Sequence, residues 1–244
     1  MGLFTTVLHV YKTDQQDIIN ALTKELSSRG LSKFNQIGEI SDAISNNESG
    51  VYYLITDKHG DWITIIELNV KIDNPFYLYD LTNKLSSSLK TSALSFHFHD
   101  DDALIYNLEN MGNSIDGYNS NYQYFLNQPA SRQEIISQRH EPKSFSSILP
   151  YGKNSDSLDS ILNEGYWDAF DNNDLDEEGV PNDDKYFIDE LDRFERVGKY
   201  LEIYSLNDYP FADWQSNINK LKTNEYYILH AAIDRKISKP WWKF

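Results

Sequence analysis

The segment from Leu94 to Phe125, LSFHFHDDDALIYNLENMGNSIDGYNSNYQYF, restricts the fold more than any other part of the chain. Leu94, Phe96 and Phe98 alternate with Ser95, His97 and His99. A strand sends successive side chains to opposite faces, so the three apolar groups share one face and the two histidines share the other. Asp100–Asp102 then form a polar turn. Ala103–Leu108 read as a second strand, Asn110-Met111-Gly112-Asn113 as a second turn and Ser114–Tyr118 as a third strand. This run predicts a three-stranded antiparallel meander with one apolar face to bury.

The rest of the N-terminal half supplies what buries it. Leu3–Tyr11 reads as a strand. Thr13 and Gln16 have the spacing of a capping box, and Ile18, Ile19, Leu22 and Leu26 recur at helical spacing up to Gly30. Val51–Thr56 and Trp62–Val70 are β-branched and aromatic. The sequence Asp57-Lys58-His59-Gly60-Asp61 between them predicts a hairpin. Asn74-Pro75 opens a second helix with Leu78, Leu81, Leu85 and Leu89 on one stripe. Residues 32–50 are polar, with room for a short helix at Ile40–Ile44. Residues 1–127 therefore predict an α+β domain, β-α-β-β-α-β-β-β, whose mainly antiparallel sheet has helices on one face.

Pro129, Pro142 and Pro150 punctuate a polar stretch, so residues 128–152 read as a connecting segment. Residues 153–244 read as mainly helical, either a separate unit or a layer packed on the same domain. Ser155 is placed to cap a helix with Leu158, Ile161 and Leu162, which Gly165 ends. A second helix is expected from Asp183-Asp184 through Phe187, Ile188, Leu191, Phe194 and Val197, and a third at Asp213–Leu221. Tyr226–Ile233 has the composition of a strand that returns to the sheet, and the tail carries Trp241 and Trp242.

Composition narrows the function classes. With 244 residues, 40% of them hydrophobic, the chain can bury a core without staples. There is no cysteine, which excludes disulfides, thiolate zinc sites and a cysteine nucleophile. The N-terminus lacks the basic flank of a secretory signal, and no apolar run approaches the roughly 20 residues of a membrane span. A cytoplasmic protein without membrane association is expected. The formal net charge of −16 repels phosphate backbones, which argues against nucleic acid; the acidity serves either solubility or a basic protein partner met by electrostatic steering.

Two constellations have metal-like spacing. His97 and His99 share a strand face beside Asp100, so two imidazoles and a carboxylate could hold an ion, the chemistry of a metal protein or metal-dependent enzyme. Solvent-facing histidines that end in an acidic turn give the same pattern. Asp174, Asp176, Glu178 and Gly179 match the start of a calcium loop, but its twelfth position is Lys185, where a bidentate glutamate is required. An acidic surface loop fits as well. No glycine-rich phosphate loop and no G-x-S-x-G elbow is present, and His9, His59, His140 and His230 are scattered without a paired acid at a recognisable spacing. No catalytic residue and no cofactor is implied. The partner-binding candidates are Tyr118, Tyr122 and Tyr124, from an aromatic stretch suited either to recognition or to capping the sheet. With them stand Asp174, Asp176, Glu177, Glu178, Asp183 and Asp184 of the acidic stretch.

Trp62 and Glu67 on one strand, Leu85-Ser86 at a helix end, the triple aspartate, Gly112, Asp116 and Tyr118 around a turn, and the closing Tyr124-Phe125 together resemble bacterial proteins of the toxin-immunity and accessory type. The likeness covers about a quarter of the chain and its motifs are structural. It implies an immunity-type inhibitor of a basic bacterial toxin and brings no catalytic residue with it.

Overall fold

A computed structural model describes residues 4–31, 33–36, 51–68, 77–99, 102–126, 130–141, 143–176, 179–204 and 226–232. Eight strands form one sheet: β1 (Phe4–Tyr11), β2 (Lys33–Gln36), β3 (Val51–Thr56), β4 (Trp62–Leu68), β5 (Ser92–His99), β6 (Ala103–Asn110), β7 (Asn113–Asn119) and β8 (Tyr226–Ala232). Their order is β2-β8-β3-β4-β1-β5-β6-β7, with every neighbouring pair antiparallel. The helices are α1 (Gln15–Ser28), α2 (Tyr77–Leu89), α3 (Arg132–Ile136), α4 (Ser155–Asn163), α5 (Tyr166–Asp171) and α6 (Glu190–Leu201). The α+β class and the β5-β6-β7 meander stand as the alternation predicts.

Both faces of the sheet are covered, where the sequence predicts helices on one. On one side the stripe Ile18, Ile19, Leu22 and Leu26 of α1 and Leu81 and Leu85 of α2 close over Leu8, Val10, Ile55, Ile63 and Ile65. On the other, Leu158 and Leu162 of α4, Trp167 and Phe170 of α5 and Phe194 and Val197 of α6 close over Val7, Trp62, Leu94, Phe96, Phe98, Tyr106 and Leu108. Residues 128–152, expected as a connecting segment, supply Ile135, Phe145 and Ile148 to this second core. Their apolar groups are too widely spaced to make a periodic pattern, yet each finds the sheet. β8 enters between β2 and β3, so a strand from the C-terminal half completes the sheet built by the N-terminal half.

The ends of several helices differ from expectation for local reasons. The Thr13–Gln16 box does not form. Asp14 is the first cap position of α1, without a side-chain bond, and Gln16 donates along the helix to Asn20 instead. Asn154, not Ser155, caps α4 by accepting from the Ser157 amide. The helix expected from Asp183 begins at Glu190. Asp183 caps only a 3-10 turn at Asp184–Tyr186, and Asp189 then accepts from the Leu191 and Asp192 amides to start α6. Phe187, expected on the apolar stripe, lies in the intervening extended stretch and is 61% exposed. Gly165 ends α4 as expected, at φ 75°. A Cβ there would come 2.7 Å from the Tyr186 carbonyl oxygen, so only glycine admits the close approach. The expected helices at 40–44 and 213–221, the Asn74-Pro75 helix start and the aromatic tail lie outside the described residues.

Candidate functional site

Among the described residues, two buried polar networks and one external face involve the candidate residues or the cleft. The first network centres on Asp116, buried on β7. Its Oδ2 accepts from Tyr106 Oη at 2.7 Å, from Ser144 Oγ at 2.6 Å and from His140 Nδ1 at 2.9 Å, and the Glu141 amide donates to the same carboxylate. Burial alone would push this carboxyl up. The bonds from His140, Ser144 and Tyr106 outweigh that and hold it below the usual carboxylate range. Burial, then the Asp116 charge, push the Tyr106 phenol well above its ordinary value.

An open cleft of ≈ 440 Å³ lies alongside, lined by Tyr106, Asp116, Gly117, Tyr118, Gln138, Arg139 and Glu141 among others. Two of its charged groups, Asp116 and Arg139, are engaged. Asp116 is saturated as above, and Arg139 forks onto Asp171 with its Nε on Asn163. The His140 side chain has no solvent exposure, and its Nε2 faces Asp159 at 3.9 Å. Chemically, the network ties residues 139–148 to β7. No sequence spacing marks it, since Asp116, His140 and Ser144 come from a strand and a loop with no common period.

The second network is the ion pair of Arg193 and Glu190, both buried on α6. Arg193 also donates to the carbonyls of Ile161, Leu162 and Glu164, satisfying the C-terminus of α4. Tyr118 Oη donates to the Leu162 carbonyl as well. Tyr118, expected at a recognition surface, is therefore a buried internal contact at 2% exposure.

The two histidines of the metal-like pattern stay neighbours, with ring centroids 6.4 Å apart, but differ in burial. His97 is 1% exposed, with Nδ1 2.8 Å from Thr6 Oγ1. It points to the face that α1 and α2 cover, so the solvent-facing strand expected for it does not occur. His99, one step nearer the strand end, packs against Tyr124 and Phe125. Asp100 lies outside the described residues, and among the described residues no three histidines or carboxylates are placed to hold a metal ion.

The external face holds the two segments that carry the described remaining candidates, which touch at Gly179 and Gln123. Residues Tyr122–Phe125 form a 3-10 turn after β7. Tyr122 is partly buried against the core, whereas Tyr124 and Phe125 are 39% and 37% exposed. Beside them Asn121 Nδ2 donates to the carbonyl of Asp102, an exposed residue at the β5–β6 turn. The acidic stretch folds into a small hairpin through the Leu175–Pro181 bridge, with Asn182 N donating to Asp174 O. That hairpin packs on the aromatic turn: a Cβ at Gly179 would lie 3.0 Å from Gln123 Cγ. Asp176 and Asp184 are exposed and Asp174 is partly exposed, while Glu177 and Glu178 lie outside the described residues. The calcium-like spacing is put to another use. Lys185 reaches Asp183 at 3.0 Å and Asp174 at 3.9 Å, and the Val180 amide donates to Asp176. The Lys185 backbone amide and then its ammonium hold the Asp183 carboxyl below its usual range.

No protein-family model, no curated protein and no solved structure matches this chain. Among the described residues, no helix is long and apolar enough to cross a membrane.

Proposed function

We propose that this chain is a protein-binding protein whose acidic and aromatic face takes a basic partner, in the specific form of an immunity-type inhibitor of a basic bacterial toxin. The observation that carries the reading is the packing of the Asp174–Asp184 hairpin against the Tyr122–Phe125 turn at Gly179 and Gln123. Two segments about fifty residues apart in the chain present exposed rings and exposed carboxylates together. Aromatic anchors bordered by charge are the usual make-up of a protein interface. A net charge of −16 steers a cationic partner toward it and repels nucleic acid. The internal polar networks support a binding role over a catalytic one, because their groups are consumed in holding the fold. The absence of cysteine supports a cytoplasmic setting.

Co-purification of the tagged chain from the cells that make it, at low and at high salt, tests this reading. A basic protein retained at low salt and released at high salt is the expected outcome. A partner that is acidic, or one whose retention ignores salt, would overturn it.

A further inference from the structure

We infer that His140 is a proton-operated latch: it fastens the wall of the cleft to two layers of the molecule while its Nε2 carries a proton, and loosens that wall when the proton leaves. The ring sits between carboxylates on two elements. Nδ1 lies 2.9 Å from Asp116 Oδ2 on β7, and Nε2 lies 3.9 Å from Asp159 Oδ1 on α4. The imidazole has no solvent exposure, whereas the Asp159 side chain keeps 30% of its own. Ser137, Gln138, Arg139 and Glu141, its neighbours in the chain, line the cleft. Whatever holds His140 therefore holds that wall.

The hydrogen atoms at hand decide how the latch works. Asp116 is held ionised and the Tyr106 phenol keeps its proton, so neither changes charge near neutral pH. Nδ1 must donate to the Asp116 carboxylate, because a bare lone pair facing it would be repelled. Nε2 then has two states. Bare, it is a buried acceptor with no hydrogen-bond donor in reach, turned toward a second carboxylate. Protonated, it completes an imidazolium with an anion at each end. The other groups around the ring do not replace that pairing. Arg139 is engaged with Asn163 and Asp171, the Glu141 side chain is exposed, and Tyr106 and Phe145 pack against the ring. Attraction to Asp159 is gained with one proton and lost with it. While both aspartates stay ionised, the wall is tight below the pH at which His140 gives up that proton and loosens above it.

Hydrogen exchange of single amides, followed by nuclear magnetic resonance from about pH 5 to 9 together with the His140 ring signals, tests the latch. The reporters are the Glu141 amide, which donates to Asp116, and the Asn119 amide, which donates to Gln138 O. The Ser120 amide, which donates to Leu104 O at the end of β7, is the reference. Protection of both reporters relative to Ser120 should fall about two- to fivefold as His140 loses its proton, the scale of a partly screened ion pair. Asp159→Asn, at a partly exposed site, should remove most of that fall. Reporters that ignore the ring's proton overturn the latch, and so does a ring that does not titrate across this range. A fall undiminished in Asp159→Asn overturns it as well. The measurement on the native chain stands by itself if circular dichroism shows the variant unfolded.

Discussion

His9 lies in the middle of β1 with Nδ1 2.9 Å from Thr64 Oγ1 and its ring against Phe96 and Phe194. Burial pushes its pKa down from 6.5 to about 3, since an imidazolium there would lose its hydration. The unfolded chain therefore takes up a proton near pH 6.5 that the folded chain refuses until about pH 3. The stability tied to this residue is complete above the unfolded pKa. It is lost as pH falls toward the folded value, by about 1.4 kcal/mol per pH unit. His9→Phe should flatten that slope in urea titrations run between about pH 6 and pH 4; an unchanged slope would show that another group carries it. His9, His97 and Tyr118 teach one lesson about single residues. Alternation tells which side chains share a strand face, as it does for Leu94, Phe96 and Phe98, but not whether that face meets water. All three are buried because both faces of the sheet are covered.

At the scale of elements, the periodic ones are readable from sequence and the ones held by long-range bonds are not. The α1 stripe, the β3–β4 hairpin and the meander each repeat a local pattern with a turn at the end, and each occurs as that pattern predicts. β2 is four residues long and exists because β8 pairs with it. Residues 139–148 follow no period at all. Asp116 holds them by accepting from His140, Ser144 and the Glu141 amide, and Phe145 and Ile148 then reach the core. Asp116→Asn removes the charge and replaces one acceptor oxygen with a donor, so buried donors are left unpaired. Hydrogen bonds to a charged, buried acceptor of this kind suggest a loss of about 2–4 kcal/mol. Urea unfolding measures it, and limited proteolysis should place the new cleavages within residues 137–149. A variant as stable as the native chain would mean that the apolar contacts alone hold the segment.

The molecule as a whole is two helical layers on one shared sheet. Each strand of the centre contributes side chains to both cores, so loss of one core exposes the back of the other. Leu22→Ala, at a fully buried site of α1, should cost about 2–5 kcal/mol through transfer and cavity terms. The shift should appear equally in far-ultraviolet circular dichroism and in the fluorescence of Trp167, which lies in the opposite core. Separate transitions would show that the two layers unfold independently. The same architecture creates the external face: the Tyr122–Phe125 turn leaves the end of β7, and the acidic hairpin reaches it from between α5 and α6. By itself the sequence determined the class of fold, the acidity and the periodic elements, because strand alternation, helical stripes and turn residues act over a few neighbours. The tertiary structure alone decided which faces are buried, that Ile135, Phe145 and Ile148 join the core, and that an acidic hairpin and an aromatic turn far apart in the chain touch. Those outcomes depend on which surfaces meet once the sheet is covered, and no local spacing encodes that.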